Sequence, residues 1–168
     1  LRYTRLGQVG WPRVLAFGIG FGAVEALLLG LLSLGPVVAA LVMPAVLPPD
    51  ALVGLARLND PLVGLAPIVE RLATLYIHVL ANALVFYAAS RRRPGAFWLA
   101  FAYKTAIDSV AAFGQLWGLG TTARLWTIEA VVIAFGIAGW LGLRRLAVRY
   151  GSGSPVGRDA FQPITDLP

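Results

Sequence analysis

The sequence predicts an all-α, polytopic membrane bundle of about four transmembrane helices plus a short proline-broken re-entrant or interfacial segment. Three observations carry this. Mean hydropathy is +0.77 with 58% hydrophobic and only 13% charged residues, a balance that leaves too little polar surface to coat a soluble core of 168 residues. Long apolar runs recur, each of about the length needed to cross 30 Å of hydrocarbon. Ten arginines fall on one side of the implied topology and two on the other.

The first expected span is Arg13 to Leu34, where Gly18, Gly22, Ala26 and Gly30 form a ladder of small residues suited to close helix contact, with Glu25 beside it. Gly35-Pro36 is expected to interrupt it. Val37 to Leu47, bounded by prolines, reads as a helix extension or as a re-entrant or interfacial piece. Asp50 to Pro67 reads as a loop of amphipathic turns with a short internal echo, DALVGLARL and DPLVGLAPI.

Ile68 to Ser90 is the second span. It places Arg71, Thr74, His78 and Asn82, at spacings of 3, 4 and 4, along one stripe. A polar stripe inside hydrocarbon has to face protein or water. Arg91 to Pro94 ends this span. The third, Ala96 to Leu116, carries Lys104, Thr105, Asp108 and Ser109, and the fourth, about Thr122 to Leu143, carries Glu129. Residues 1–150 thus form one bundle domain, and 151–168 a polar, Pro/Gly-rich tail expected to be flexible or draped on a partner.

Orientation follows from the arginines. With both termini cytoplasmic, Arg2, Arg5, Arg13, Arg91, Arg92, Arg93, Arg144, Arg145, Arg149 and Arg158 lie inside, against Arg57 and Arg124 outside. This points to a multi-pass protein of the inner (cytoplasmic) membrane. The net charge of +6 reports that orientation and is no nucleic-acid signal. The chain begins without methionine and enters an apolar segment almost at once, as a later part of a longer product, a processed one or an incompletely built one would.

Counted from the arginine-rich boundary, Glu25, His78, Lys104, Asp108 and Glu129 all come out at a depth of roughly 15–21 Å, as one layer. Two readings of this layer stand side by side. In the first, Arg71 and Lys104 neutralise Glu25, Glu70, Asp108 and Glu129 as buried pairs, Lys104 with Asp108 at i,i+4. In the second, a carboxylate acts as general base beside an imidazole that polarises a carbonyl or binds a metal. The absence of cysteine excludes disulfides and thiolate metal sites.

GFGAVEA around Glu25, ERLATLYIH from Glu70 to His78, and KTAID from Lys104 to Asp108 resemble the YhfC family, grouped with the PrsW and CAAX-processing intramembrane peptidases. The resemblance covers about Arg13 to Gln115. It implies that Glu25 activates water, that Glu70 and Arg71 are an acid–arginine pair orienting the site, and that His78 is a metal ligand or oxyanion stabiliser. It also implies additional spans before the glutamate helix, and a histidine followed four residues later by Asn or Asp. Asp108 fits the latter position, but Lys104 stands where the histidine belongs.

That departure sets the functional expectation. Catalytic zinc usually takes three protein ligands, and a chain with one histidine supplies one imidazole. The ammonium of Lys104 repels a divalent cation and can occupy its place between Glu25 and Asp108. The expectation is therefore a catalytically inactive relative serving as a binding or assembly subunit of a larger membrane complex. The alternative is an active glutamic-type or metal-dependent protease with Glu25 as base. No cofactor is expected, zinc only under the protease reading, with bound lipid or pigment open. The partners expected are the bilayer and other membrane subunits, with no nucleic acid. Trp11, Trp98, Trp117 and Trp126 suit an interfacial belt, or a pigment, quinone or lipid groove.

Overall fold

The computed structural model describes residues 9–151. They form five helices: α1 (Trp11–Val42), α2 (Pro49–Ala56), α3 (Pro61–Arg91), α4 (Pro94–Trp117) and α5 (Thr122–Gly151), with 3₁₀ turns at Pro44–Val46 and Arg57–Asn59. Among the described residues there is no strand. By length and composition α1, α3 and α5 suit a membrane crossing. α4, at 24 residues, is also long enough, about 36 Å, but carries Lys104 and Asp108 near its middle, which interrupt its apolar run. The tail expected beyond Gly151 lies outside the described residues.

Two expected breaks are not breaks. α1 runs on through Gly35-Pro36 to Val42, so that Val37 to Val42 is helix extension. α3 begins at Pro61, seven residues before the expected start, and passes through Pro67. A proline inside a helix forfeits one backbone bond, whereas leaving the helix in hydrocarbon would strand several amide and carbonyl groups with no water to take them up. Continuing costs less. The real start of α3 is set by the Asp60 carboxylate, which accepts the Leu62 N–H at 3.0 Å, with Pro61 in the first turn. α3 ends at Arg92, whose φ of 51° places it in the left-handed region.

α3 is the central helix, packed by α1, α4 and α5. α1 runs antiparallel to it, with Gly18 against the Val79 backbone and Gly22 against Leu75 and His78. The expected ladder works over these two steps only, since nothing lies within 4 Å of a Cβ built on Gly30. α5 runs parallel to α3 on a second glycine row, in which Gly136 meets Ala73, Gly139 meets Tyr76 and Gly142 meets Leu80. A Cβ on any of the three would come within 3.0 Å of its neighbour. α4 returns between them, its Tyr103 hydroxyl donating to the Phe135 carbonyl at 2.6 Å.

Two apolar clusters result. Val14, Leu80, Ala83, Leu84, Leu143, Leu146 and Tyr150 close the arginine-rich end, and Ala73, Ile77, Ile107, Ile128 and Val132 fill the other half. The Trp11 and Tyr150 rings, 5.2 Å apart, bring the start of α1 to the end of α5. At the opposite end Arg57 donates to the Leu119 carbonyl at 3.1 Å, and Trp126 to that of Leu62 at 3.2 Å. Arg13, Arg91 to Arg93, Arg144 and Arg145 therefore gather at one end of the bundle, and Arg57 and Arg124 at the other, the segregation read from the sequence.

Candidate functional site

The site is built where α1 crosses α3. Because Gly22 has no side chain, the α1 backbone approaches until a Cβ there would stand 3.4 Å from His78 Cβ. Glu25, three residues on, then reaches down to the ring, with Oε1 3.1 Å from His78 Nε2. The imidazole is buried, whereas the Glu25 carboxylate is 38% exposed. Phe21 lies against the imidazole at 5.6 Å. One turn along, the Asn82 amide donates to the His78 backbone carbonyl at 2.9 Å. On the outer side Glu25 lies on an open apolar face of α1, beside Phe17, Phe21, Val24 and Leu28.

The stripe read from the sequence turns inward. His78 is buried, and Arg71, Thr74 and Asn82 are half-buried. From α4, Lys104 Nζ and Asp108 Oδ1 pair at 2.7 Å, half-buried and 60% exposed respectively. Both lie in the neighbourhood of His78, as Glu25 does. No hydrogen bond links the α4 pair to Glu25 or His78 among the described residues. The structure thus holds Glu25 and His78 in direct contact, with Lys104 and Asp108 beside them.

Glu70 and Arg71 are bonded to each other at 2.8 Å. Arg71 stands two helical turns from His78, about 10 Å along α3. Glu129 of α5 is the titratable group nearest this pair from another helix. The single layer expected from the sequence is accordingly split. α5 extends to Gly151, so counting depth from Leu143 sets Glu129 too low. The glycine register puts Glu129 level with Ala66, about 18 Å from the level of His78. Glu129 is buried, and its Oε2 has no hydrogen-bond partner.

The sequence reading passed over the α5 glycines and Tyr103. The signal for the glycines was present as a Gly-x-x-Gly-x-x-Gly spacing, weaker to the eye than the four-residue ladder of α1. Nothing marked Tyr103, whose role depends on a carbonyl of another helix.

A metal is the group the resemblance implies, and the donor set does not fit one. Among the described residues no three of His, Asp or Glu gather as ligands, and the chain has a single histidine. The ammonium of Lys104 adds positive charge where a cation would need acceptors. The pair Glu25–His78 can orient a water molecule or a polar group, but it does not make a catalytic zinc site.

No curated protein and no solved structure matches the chain. The model of one family, described as YhfC intramembrane metalloprotease, matches residues 1–132, which include α1 to α4 and every site residue named above. The chain belongs to the YhfC intramembrane metalloprotease family.

Proposed function

We propose that this YhfC-family membrane protein is catalytically inactive and serves as a binding or assembly subunit of a larger complex in the inner membrane, both termini facing the cytoplasm. The observation that carries the reading is the Lys104–Asp108 pair, a 2.7 Å contact that occupies with an ammonium the position where the family pattern calls for histidine. A second observation supports assembly. Thr105 and Asp108 are exposed on α4 near the level of Glu25, and an exposed charged pair at that depth, here Asp108 with Lys104, needs protein or water against it. A neighbouring helix supplies that cover. The arginine-rich end supports the orientation by the positive-inside rule.

The test is purification in mild detergent together with metal analysis. A stoichiometric protein partner and less than one equivalent of bound zinc are expected. Recovery of the chain alone, with zinc bound and peptide cleavage that depends on it, would sink the subunit reading. Lys104→His then asks whether one substitution restores metal binding.

The Glu25–His78 contact favours the other reading, an active protease of glutamic type or with a metal. Glu25 Oε1, 3.1 Å from the imidazole and on a carboxylate that is 38% exposed, is placed to take a proton from water as that water attacks a peptide carbonyl. On this reading Glu25→Gln abolishes cleavage of a membrane substrate while leaving the fold intact.

A further inference from the structure

A groove lies on the far side of α3, opposite the face that carries His78. It holds about 380 Å³ between α3 and α5, walled by Leu72 and Tyr76 on one side and Ile133, Ile137 and Trp140 on the other, with Gly136 at its floor. Along α5, Ile133, Ile137, Trp140 and Arg144 follow at spacings of 4, 3 and 4, a single stripe. The groove therefore runs toward the arginine-rich end and stops at a cation. The Arg144 guanidinium lies over the Trp140 ring, 5.0 Å from its centroid. No carboxylate among the described residues pairs with it.

From Ile133 to Arg144 the stripe is about 16 Å long, close to the depth of one leaflet. Its bulky rim argues against a helix as occupant. A helix with its side chains is about 10 Å across and needs small residues on the facing surface, whereas the rim here is Leu72, Tyr76, Ile137 and Trp140. An acyl chain needs only a narrow apolar channel.

We propose that this groove binds an anionic phospholipid from the leaflet at the arginine-rich end. One acyl chain lies against Ile133, Ile137 and Trp140, and the headgroup phosphate sits on Arg144. The planar guanidinium matches phosphate oxygens two at a time, and stacking on Trp140 holds it in place before the lipid arrives. A zwitterionic headgroup brings its own cation to the phosphate, so Arg144 discriminates in favour of the anionic lipid.

The chain is reconstituted into phosphatidylcholine vesicles carrying equal small fractions of bromine-labelled phosphatidylglycerol or bromine-labelled phosphatidylcholine. The Trp140 signal is taken as the difference between the native chain and Trp140→Phe. Labelled phosphatidylglycerol is expected to occupy the site about fivefold more readily, the ratio set by one arginine near a membrane surface. Arg144→Gln should abolish that preference and Arg145→Gln, an equal change in charge, should keep it. Ile137→Trp, which fills the groove and leaves Arg144 in place, should remove the lipid retained in native mass spectrometry. Equal quenching by the two lipids would overturn the proposal. So would a preference that Arg144→Gln and Arg145→Gln weaken alike, since general attraction to a basic end needs no groove. Shielding of Trp140 from both lipids would overturn it too, by showing a protein neighbour there.

Discussion

Among the described residues the His78 ring has one hydrogen-bond partner, Glu25, and its burial makes that partner matter more than its distance suggests. Removing an acceptor from a buried donor leaves the desolvation cost unrelieved, about 1–3 kcal/mol, whereas an isosteric amide retains a hydrogen bond. Glu25→Ala should therefore destabilise the bundle by that amount and Glu25→Gln by less, read from unfolding in detergent. For Lys104 and Asp108 the prediction is smaller. Pairs inside membrane proteins couple by about 0.6 kcal/mol, and Asp108 is 60% exposed. A double-mutant cycle with Lys104→Ala and Asp108→Ala should return a coupling energy of about 1 kcal/mol or less. Legibility differs between the two pairs for a physical reason. Lys104 and Asp108 are a local i,i+4 pair, so their contact was readable in the sequence. Glu25 and His78 were each singled out, but their contact depends on how closely Gly22 lets two helices approach, and that is a property of the packed pair.

At the level of the helices, the stability of the bundle rests on the glycine row of α5. Gly136→Ala forces a Cβ to 2.9 Å from Ala73, backbone against backbone, with no flexible side chain to yield. Overpacking of this kind costs about 1–3 kcal/mol. Gly30→Ala meets open space and should be neutral or slightly stabilising, through its better helix propensity. Thermal unfolding of the two variants side by side separates packing from propensity. Asp60→Ala, which removes the cap of α3, should cost about 1 kcal/mol. The existence and type of the long helices were legible because hydrophobic runs need no partner to be seen. Their ends were less so, since Pro36 and Pro67 were read by rules for chains in water. The misplacement of Glu129 followed directly, because a depth counted from a wrong terminus carries the whole error.

Across the whole molecule, charge is sorted to two ends. Asn59 and Arg93 flank α3, and Gly120 follows α4, so a labelling series can test both crossings. The chain has no cysteine of its own, which makes single replacements at these positions directly readable with a membrane-impermeant maleimide. Cysteines at 59 and 120 should react from one side of the membrane and a cysteine at 93 from the other. Reaction of 93 and 120 from the same side would remove α4, whose apolar run Lys104 and Asp108 interrupt, from the crossings. The arginine pattern made this arrangement legible before any contact was known, because it depends on sums along the chain. The lateral order of helices around α3 was not legible, since apolar residues face lipid and protein alike.

The contact of Trp11 with Tyr150 has a consequence for synthesis. Val14, fully buried, belongs to a cluster completed by Leu143, Leu146 and Tyr150, so α1 finds its last neighbours in this cluster only when α5, made later, emerges. Until then α1 is held chiefly by its crossing with α3. A nascent chain halted before position 140 should therefore leave the Trp11 indole open to lipid, and release of the remaining turns should zip it shut.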